Sequence, residues 1–188
     1  MNRYYQLRDD MSVPGRWHLG NPVDSQGKEA DVWQFGKGQR LPEQGALRFQ
    51  LEVPGHPLDF SLDTLAIPVV HRRVVALFER LGLQDEVQFI PVAVEGQREP
   101  WFVLNALRIV PCIDETRCDE VQRWTPEDGR PDKVGQYRSV IGLRVDPTKV
   151  GEARILRPWG WTVALIISED LMQAMEAEGF TGTKFLEV

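Results

Sequence analysis

The stretch Val87–Asp114, VQFIPVAVEGQREPWFVLNALRIVPCID, sets the tightest limit on what this chain can fold into. Two runs dominated by Val, Ile, Phe and Trp flank the polar turn Glu95–Pro100, which is the pattern of a β-hairpin. In the second run Trp101, Val103, Leu107 and Ile109 fall on one pleat face, and Phe102, Leu104, Ala106 and Val110 on the other. A strand that is apolar on both faces belongs inside a sheet, covered from both sides. The remaining segments therefore have to supply two apolar layers.

Residues 2–7, NRYYQL, read as a short opening strand. From Arg8 to Gln44 the chain is rich in Gly, Pro, Asp and Gln, with Trp17, Trp33 and Phe35 spaced among them. That composition predicts long loops pinned to the body by aromatic anchors, with a short strand at Val32–Phe35. Gly36-Lys37-Gly38 lacks Walker spacing and reads as a tight turn. Ala46–Val53 alternates Leu47, Phe49, Leu51 and Val53 with Arg48, Gln50 and Glu52, a half-buried strand with one wet face. Pro54-Gly55-His56-Pro57 then turns the chain.

Thr64–Val70 leads into HRRVVALFERLGL, where Val70, Val74, Leu77, Phe78 and Leu81 recur at helical steps. The spacing predicts a helix from His71 to Leu81, with Gly82 as its left-handed C′ residue and Leu83 packing back on Phe78. The same grammar returns later. Trp161–Ile167 predicts a strand, Ser168 a helix N-cap, and Glu169 and Asp170 suit the positive end of the helix dipole. Leu171, Met172 and Met175 form the apolar stripe, Gly179 ends the helix with Phe180 placed against Met175, and Thr183–Val188 is a last strand. Strand–helix–Gly–strand thus occurs around residues 64–92 and 161–188, either by chance or as a pseudo-repeat.

Between these units, Tyr137, Ser139, Ile141, Leu143 and Val145 predict a strand facing the core. Asp146-Pro147 signals a turn, Ala153–Leu156 a short strand, and Pro158-Trp159-Gly160 a corner. Asp114–Lys133 is polar and reads as an irregular insertion, the kind of surface segment that often carries function. The sum is an α+β fold: a mixed or antiparallel sheet, two short helices and a loop-rich N-terminal region. Residues 1–57 pack on a main body of residues 58–188, as one structural unit.

Within 188 residues the hydrophobic fraction of 42% is enough for a core. The 22 basic residues against 28 acidic leave a net charge of −6, which argues against nucleic acid or an anionic membrane as partner. No apolar leader opens the chain, and no run approaches the roughly 18 apolar residues of a membrane span. Cys112 and Cys118 are the only cysteines, which suggests free thiols and a cytoplasmic location.

Candidate chemistry is sparse. His18, His56 and His71 are scattered, and Cys112 and Cys118 match no common zinc spacing, so no metal and no cofactor is expected. No nucleophile motif surrounds Ser139 or Ser168, and Cys112 reads as an inert buried thiol. The carboxylates Asp114, Glu115, Asp119, Glu120, Glu127 and Asp128 remain. They fit a solvated loop, an acid/base pair in a cleft, or an electrostatic docking surface with Trp124 as its aromatic anchor.

The pieces VQFIPVAV, WFVLNALRIVPCID with its Leu104-Asn105 and Cys112-Ile113-Asp114, ALIISEDL and GFTGTKFLEV together resemble the bacterial immunity-protein-eleven family. The likeness runs from about Leu58 to Val188; Tyr4, Tyr5 and Gly20-Asn21-Pro22 are only loosely similar. His71 stands where the family pattern suggests a Ser before the first helix. The resemblance implies a small cytosolic α+β protein, encoded beside a polymorphic toxin, that neutralises this cognate protein toxin by binding it. It implies no catalytic residues. Under it, Asp114, Glu115, Asp119, Glu120, Trp124, Glu127 and Asp128 become the candidate toxin contacts. The alternatives are a small hydrolytic or modifying enzyme using residues 114–128, which requires a pocket lined by Asp114 or Glu115 with a desolvated carboxylate, and a non-catalytic scaffold or signalling module.

Overall fold

A computed structural model of the chain describes residues 3–43 and 45–188. Met1, Asn2 and Gln44 lie outside the described residues, Asn2 from the expected opening strand and Gln44 from the end of the expected loop region. The chain opens with β1 (Tyr4–Asp9), β2 (His18–Val23), β3 (Arg48–Val53), β4 (Phe60–Leu62) and β5 (Pro68–His71). Helix α1 (Arg72–Arg80) leads to β6 (Val87–Val94), β7 (Trp101–Ala106) and the short β8 (Ile109–Val110). Then come β9 (Glu120–Arg123), β10 (Tyr137–Ile141) and the single turn α2 (Pro147–Val150). The chain ends with β11 (Ile155–Pro158), β12 (Ile166–Ser168), α3 (Glu169–Ala177) and β13 (Thr183–Glu187).

These strands form a six-stranded sheet, β2-β3-β6-β7-β5-β4, a five-stranded sheet, β13-β1-β12-β11-β8, and a separate two-stranded hairpin, β10-β9. The expected hairpin is β6–β7, in register from Val87 opposite Ala106 to Val92 opposite Trp101. As its two apolar faces require, β7 lies inside the sheet, antiparallel to both β5 and β6. Trp101 and Val103 face a core that includes Trp17, Phe35 and Phe49. Leu104 and Ala106 face a second core, which joins α1 and α3 to Leu7, Ile155 and Ile167 of the five-stranded sheet. A third core, with Tyr4, Cys112, Tyr137, Val145 and Leu156, covers part of the far face of that sheet.

The pleat expected to run on to Val110 stops at Ala106. Its partner strand begins at Val87, so no ladder remains for the next residues. The Leu107 N–H turns to the Glu86 carbonyl (2.8 Å), and β8 crosses to pair parallel with β11 in the other sheet. Leu107 and Ile109 therefore do not share a face with Trp101.

The two strand–helix–Gly–strand segments are the same split unit. In the first, α1 connects β5 to β6, with β7 between them and antiparallel to both. In the second, α3 connects β12 to β13, with β1 between them and antiparallel to both. The central strand follows its unit in one case and comes from the far N-terminal side in the other. Helix α1 ends in a Schellman motif: the Leu83 N–H reaches the Phe78 carbonyl (3.1 Å), the Gly82 N–H reaches Glu79 (3.0 Å), and Gly82 has φ +70. The helices pack on each other inside the shared core. Asp59 ties the units together by accepting the backbone N–H (3.0 Å) and hydroxyl (3.1 Å) of Thr181.

Several expectations are corrected. Val32–Gly36 is a 3-10 helix, because the Asp31 side chain accepts the Trp33 N–H at its start. The loop-rich region hides β2, whose Gly20-Asn21-Pro22 sequence carries two register shifts against β3. Residues 161–165 are not strand; only Ile166–Ser168 is. The Ser168 hydroxyl bonds Asp170 instead of a backbone N–H. The Asp146-Pro147 turn starts α2, a third helix. The strand expected through Val145 ends at Ile141, which is 51% exposed, and pairs only with β9, so the 114–133 insertion is partly ordered as a hairpin.

Candidate functional site

Local chain chemistry builds the acidic segment. Asp114 sits in a turn, where its carboxylate accepts the backbone N–H (3.2 Å) and hydroxyl (2.7 Å) of Thr116. Glu115 meets the Tyr137 hydroxyl (2.8 Å) and pairs with Arg123, whose guanidinium lies 4.4 Å from the Tyr137 ring centre. The Tyr137 hydroxyl, then Arg123, hold the Glu115 carboxyl below the usual range. Asp128 reaches back to the Thr125 N–H (2.8 Å) and pairs with Arg138 (2.8 Å), and the Thr125 N–H keeps its carboxyl low. Trp124 lies between Lys133 (5.4 Å) and Arg138 (5.3 Å).

Asp119, Glu120 and Glu127 make no ion pair among the described residues. Asp119 rests against Gly142, with its N–H on the Ile141 carbonyl (3.0 Å), and Glu120 accepts from Gln122 (2.6 Å). The structure thus gathers Glu115 with Tyr137 and Arg123, and Asp128 with Trp124 and Arg138, while Asp119, Glu120 and Glu127 stand apart. The segment is a charge-interleaved surface rather than a continuous acidic one. The Glu115 and Asp128 carboxyls are held low by their partners, the opposite of a desolvated general acid.

Among the described residues, the carboxyl pushed upward is Asp63, outside this segment. Burial raises it to about 6, against the pull of two backbone donors, Ile67 and Leu65. Its Oδ1 accepts both N–H groups at 2.8 Å, and its Oδ2 is buried without a partner. This carboxylate shapes a turn in which Ala66 has φ +61 and Leu65 is exposed. Cys112 is fully buried, and burial lifts its thiol to about 11, as an inert thiol requires.

The sequence does not single out a second surface. Val163, 50% exposed, borders three depressions, of which the one shared with Asp9, Glu52 and Asp63 carries carboxylates and two do not. One is lined by Gln6, Arg8, Ile141, Gly142, Arg144 and Leu186, on the open half of the five-stranded sheet. The other is a narrow slot between Trp33, Leu65, Thr162 and Val163, with Arg157 in its wall. Lys133 joins this surface to the acidic segment, lying 5.6 Å from Trp33 and 5.4 Å from Trp124. The strand expected at Ala153–Leu156 stops one residue short; extending it by one residue would have placed Arg157 on the same pleat face as the buried Ile155.

Among the described residues, no helix is long and apolar enough to cross a membrane, and no group of three or more His, Cys, Asp or Glu is placed to hold a metal ion. The immunity protein family Imm11 matches residues 1–188, extending the likeness read from Leu58 onward over the N-terminal strands as well. No curated protein matches the chain.

Proposed function

We propose that this chain, which belongs to the Imm11 immunity protein family, neutralises a cognate bacterial toxin by binding it stoichiometrically and covering its active site or assembly surface. It performs no catalysis of its own. The observation that carries this reading is the family match over residues 1–188. Residues 1–57 and 58–188 act as one unit, supported by the place of β1 between β12 and β13. The protein works in the cytoplasm of the toxin producer, where a reducing environment preserves the free thiols of Cys112 and Cys118. Its partner is the product of the adjacent gene.

The acidic segment forms part of the contact. Asp119, Glu120 and Glu127 offer carboxylates to a basic toxin surface. Asp114, Glu115 and Asp128 hold the frame that presents them, and Trp124 supplies the aromatic anchor. Rim charges of this kind act mainly on the association rate.

Co-purification with the neighbouring gene's product tests the reading. A stable complex in which the toxin is inactive is the expected result. Absence of a complex, or a complex in which the toxin stays active, contradicts it.

A further inference from the structure

Arg157 is 3% exposed. Its guanidinium donates to the Thr162 carbonyl, its Nε has no partner, and no carboxylate pairs with it among the described residues. A buried guanidinium without a counter-ion is costly, and folded proteins normally pair such a group. Burial alone draws it down to about 10, without a compensating neighbour. Yet the side chain is not sealed. It lines the slot between Trp33, Leu65 and Val163, an opening of about 60 Å³ with room for a small polar group.

The rim points the same way. Trp33 is 67% exposed and Val163 is 50% exposed, an apolar collar that excludes water once covered. Beyond Val163, the neighbouring depression is lined by Arg8 and Arg144 and by no carboxylate, and neither arginine forms an ion pair among the described residues. In a chain of net charge −6 the two arginines are a surplus of cations on this side of Val163, whereas the depression on its other side carries Asp9, Glu52 and Asp63.

We propose that the slot receives a carboxylate side chain of the toxin, an Asp or Glu set in an apolar, acidic segment, which becomes the missing counter-ion of Arg157. Trp33, Leu65 and Val163 pack around its stem, and Arg8 and Arg144 attract the acidic residues flanking it. The surface is then bipolar: the hairpin's carboxylates meet basic groups of the toxin while this slot takes an acidic one. This inference rests on the immunity reading and names the contact that the reading leaves open.

The test measures dissociation constants with the toxin encoded by the adjacent gene, using Arg157→Met, Val163→Asp and the acidic-segment variant Glu127→Lys. Arg157→Met removes an unpaired buried charge, so it keeps or raises the melting temperature, yet it weakens binding by about tenfold or more. Val163→Asp lies at an exposed position and does not depend on tolerance of the core. It places a rival carboxylate at the slot mouth and weakens binding by a similar factor. Wild-type affinity in both variants overturns the slot even if Glu127→Lys weakens the complex, and leaves the immunity reading standing. If Arg157→Met fails to fold, Val163→Asp decides alone. If the wild-type chain forms no complex with the toxin, the immunity reading fails and the slot fails with it. Self-association that Val163→Asp abolishes would assign the surface to a second copy of the chain and also overturn the proposal.

Discussion

Single residues here are placed against their ordinary preferences at two sites, and both lie beside Val163. Arg157 is one; Asp63 is the other. The Asp63 carboxyl titrates near 6 in the fold and near 3.8 when the chain is open, so folding takes up a proton between those values. A raised carboxyl contributes stability below the lower value and loses it as the pH rises through the upper one. The loss amounts to about 2–3 kcal/mol. Asp63→Asn keeps an oxygen for the Leu65 and Ile67 N–H groups and removes the titration. Denaturant unfolding at pH 4 and pH 7 should therefore show the wild type losing stability relative to the variant across that interval. Equal slopes for the two would remove the desolvation account. The carboxylate holds the Ala66 turn that displays Leu65 at the rim of the slot.

At the scale of elements, legibility followed periodicity. Hairpin β6–β7 was readable because Val, Ile, Phe and Trp dominate both faces, and α1 because its apolar steps end at Gly82. Leu104→Ala tests the layer assignment: it empties a fully buried site between α1, α3 and both sheets, and should cost about 2–5 kcal/mol by denaturant titration. A cost below 1 kcal/mol would mean that this core is not the shared one. What stayed hidden depends on distant partners. Strand β2 contains Gly20-Asn21-Pro22, a turn signal that pairing with β3 overrides. Ile141 alternates as a core residue does, yet β10 has only β9 beside it, so its apolar side chain remains outside. The recurrence was visible as two similar segments, and both take the same topology. That each receives its central strand from elsewhere, β7 in one and β1 in the other, is a property of pairing that local sequence does not encode. The acidic segment was legible as composition, but its interleaving with Arg123, Lys133 and Arg138 appears only once the hairpin closes. Arg157 lies in a strand read as ending at Leu156, and the absence of a carboxylate opposite it is a fact of three dimensions.

For the molecule as a whole, three apolar cores and two large sheets carry the charged hairpin, Trp33, the Leu65 turn and the slot, with Lys133 lying between the hairpin's Trp124 and Trp33. A protein that acts by covering another needs such a preformed face, since ordering a mobile one on contact would lower affinity. Family membership supplies the kind of partner, and the proposed contact surface carries charge of both signs. The central claim is that neutralisation is binding and nothing more. The most direct measurement titrates the proposed cognate toxin with this chain, follows the remaining toxic activity, and weighs the toxin by intact mass before and after. Inhibition that is complete at about one equivalent, with unchanged toxin mass and activity recovered on separation, is the predicted result. Inhibition by a small fraction of an equivalent, or a toxin of altered mass, would show that the chain makes or breaks bonds and would contradict the account.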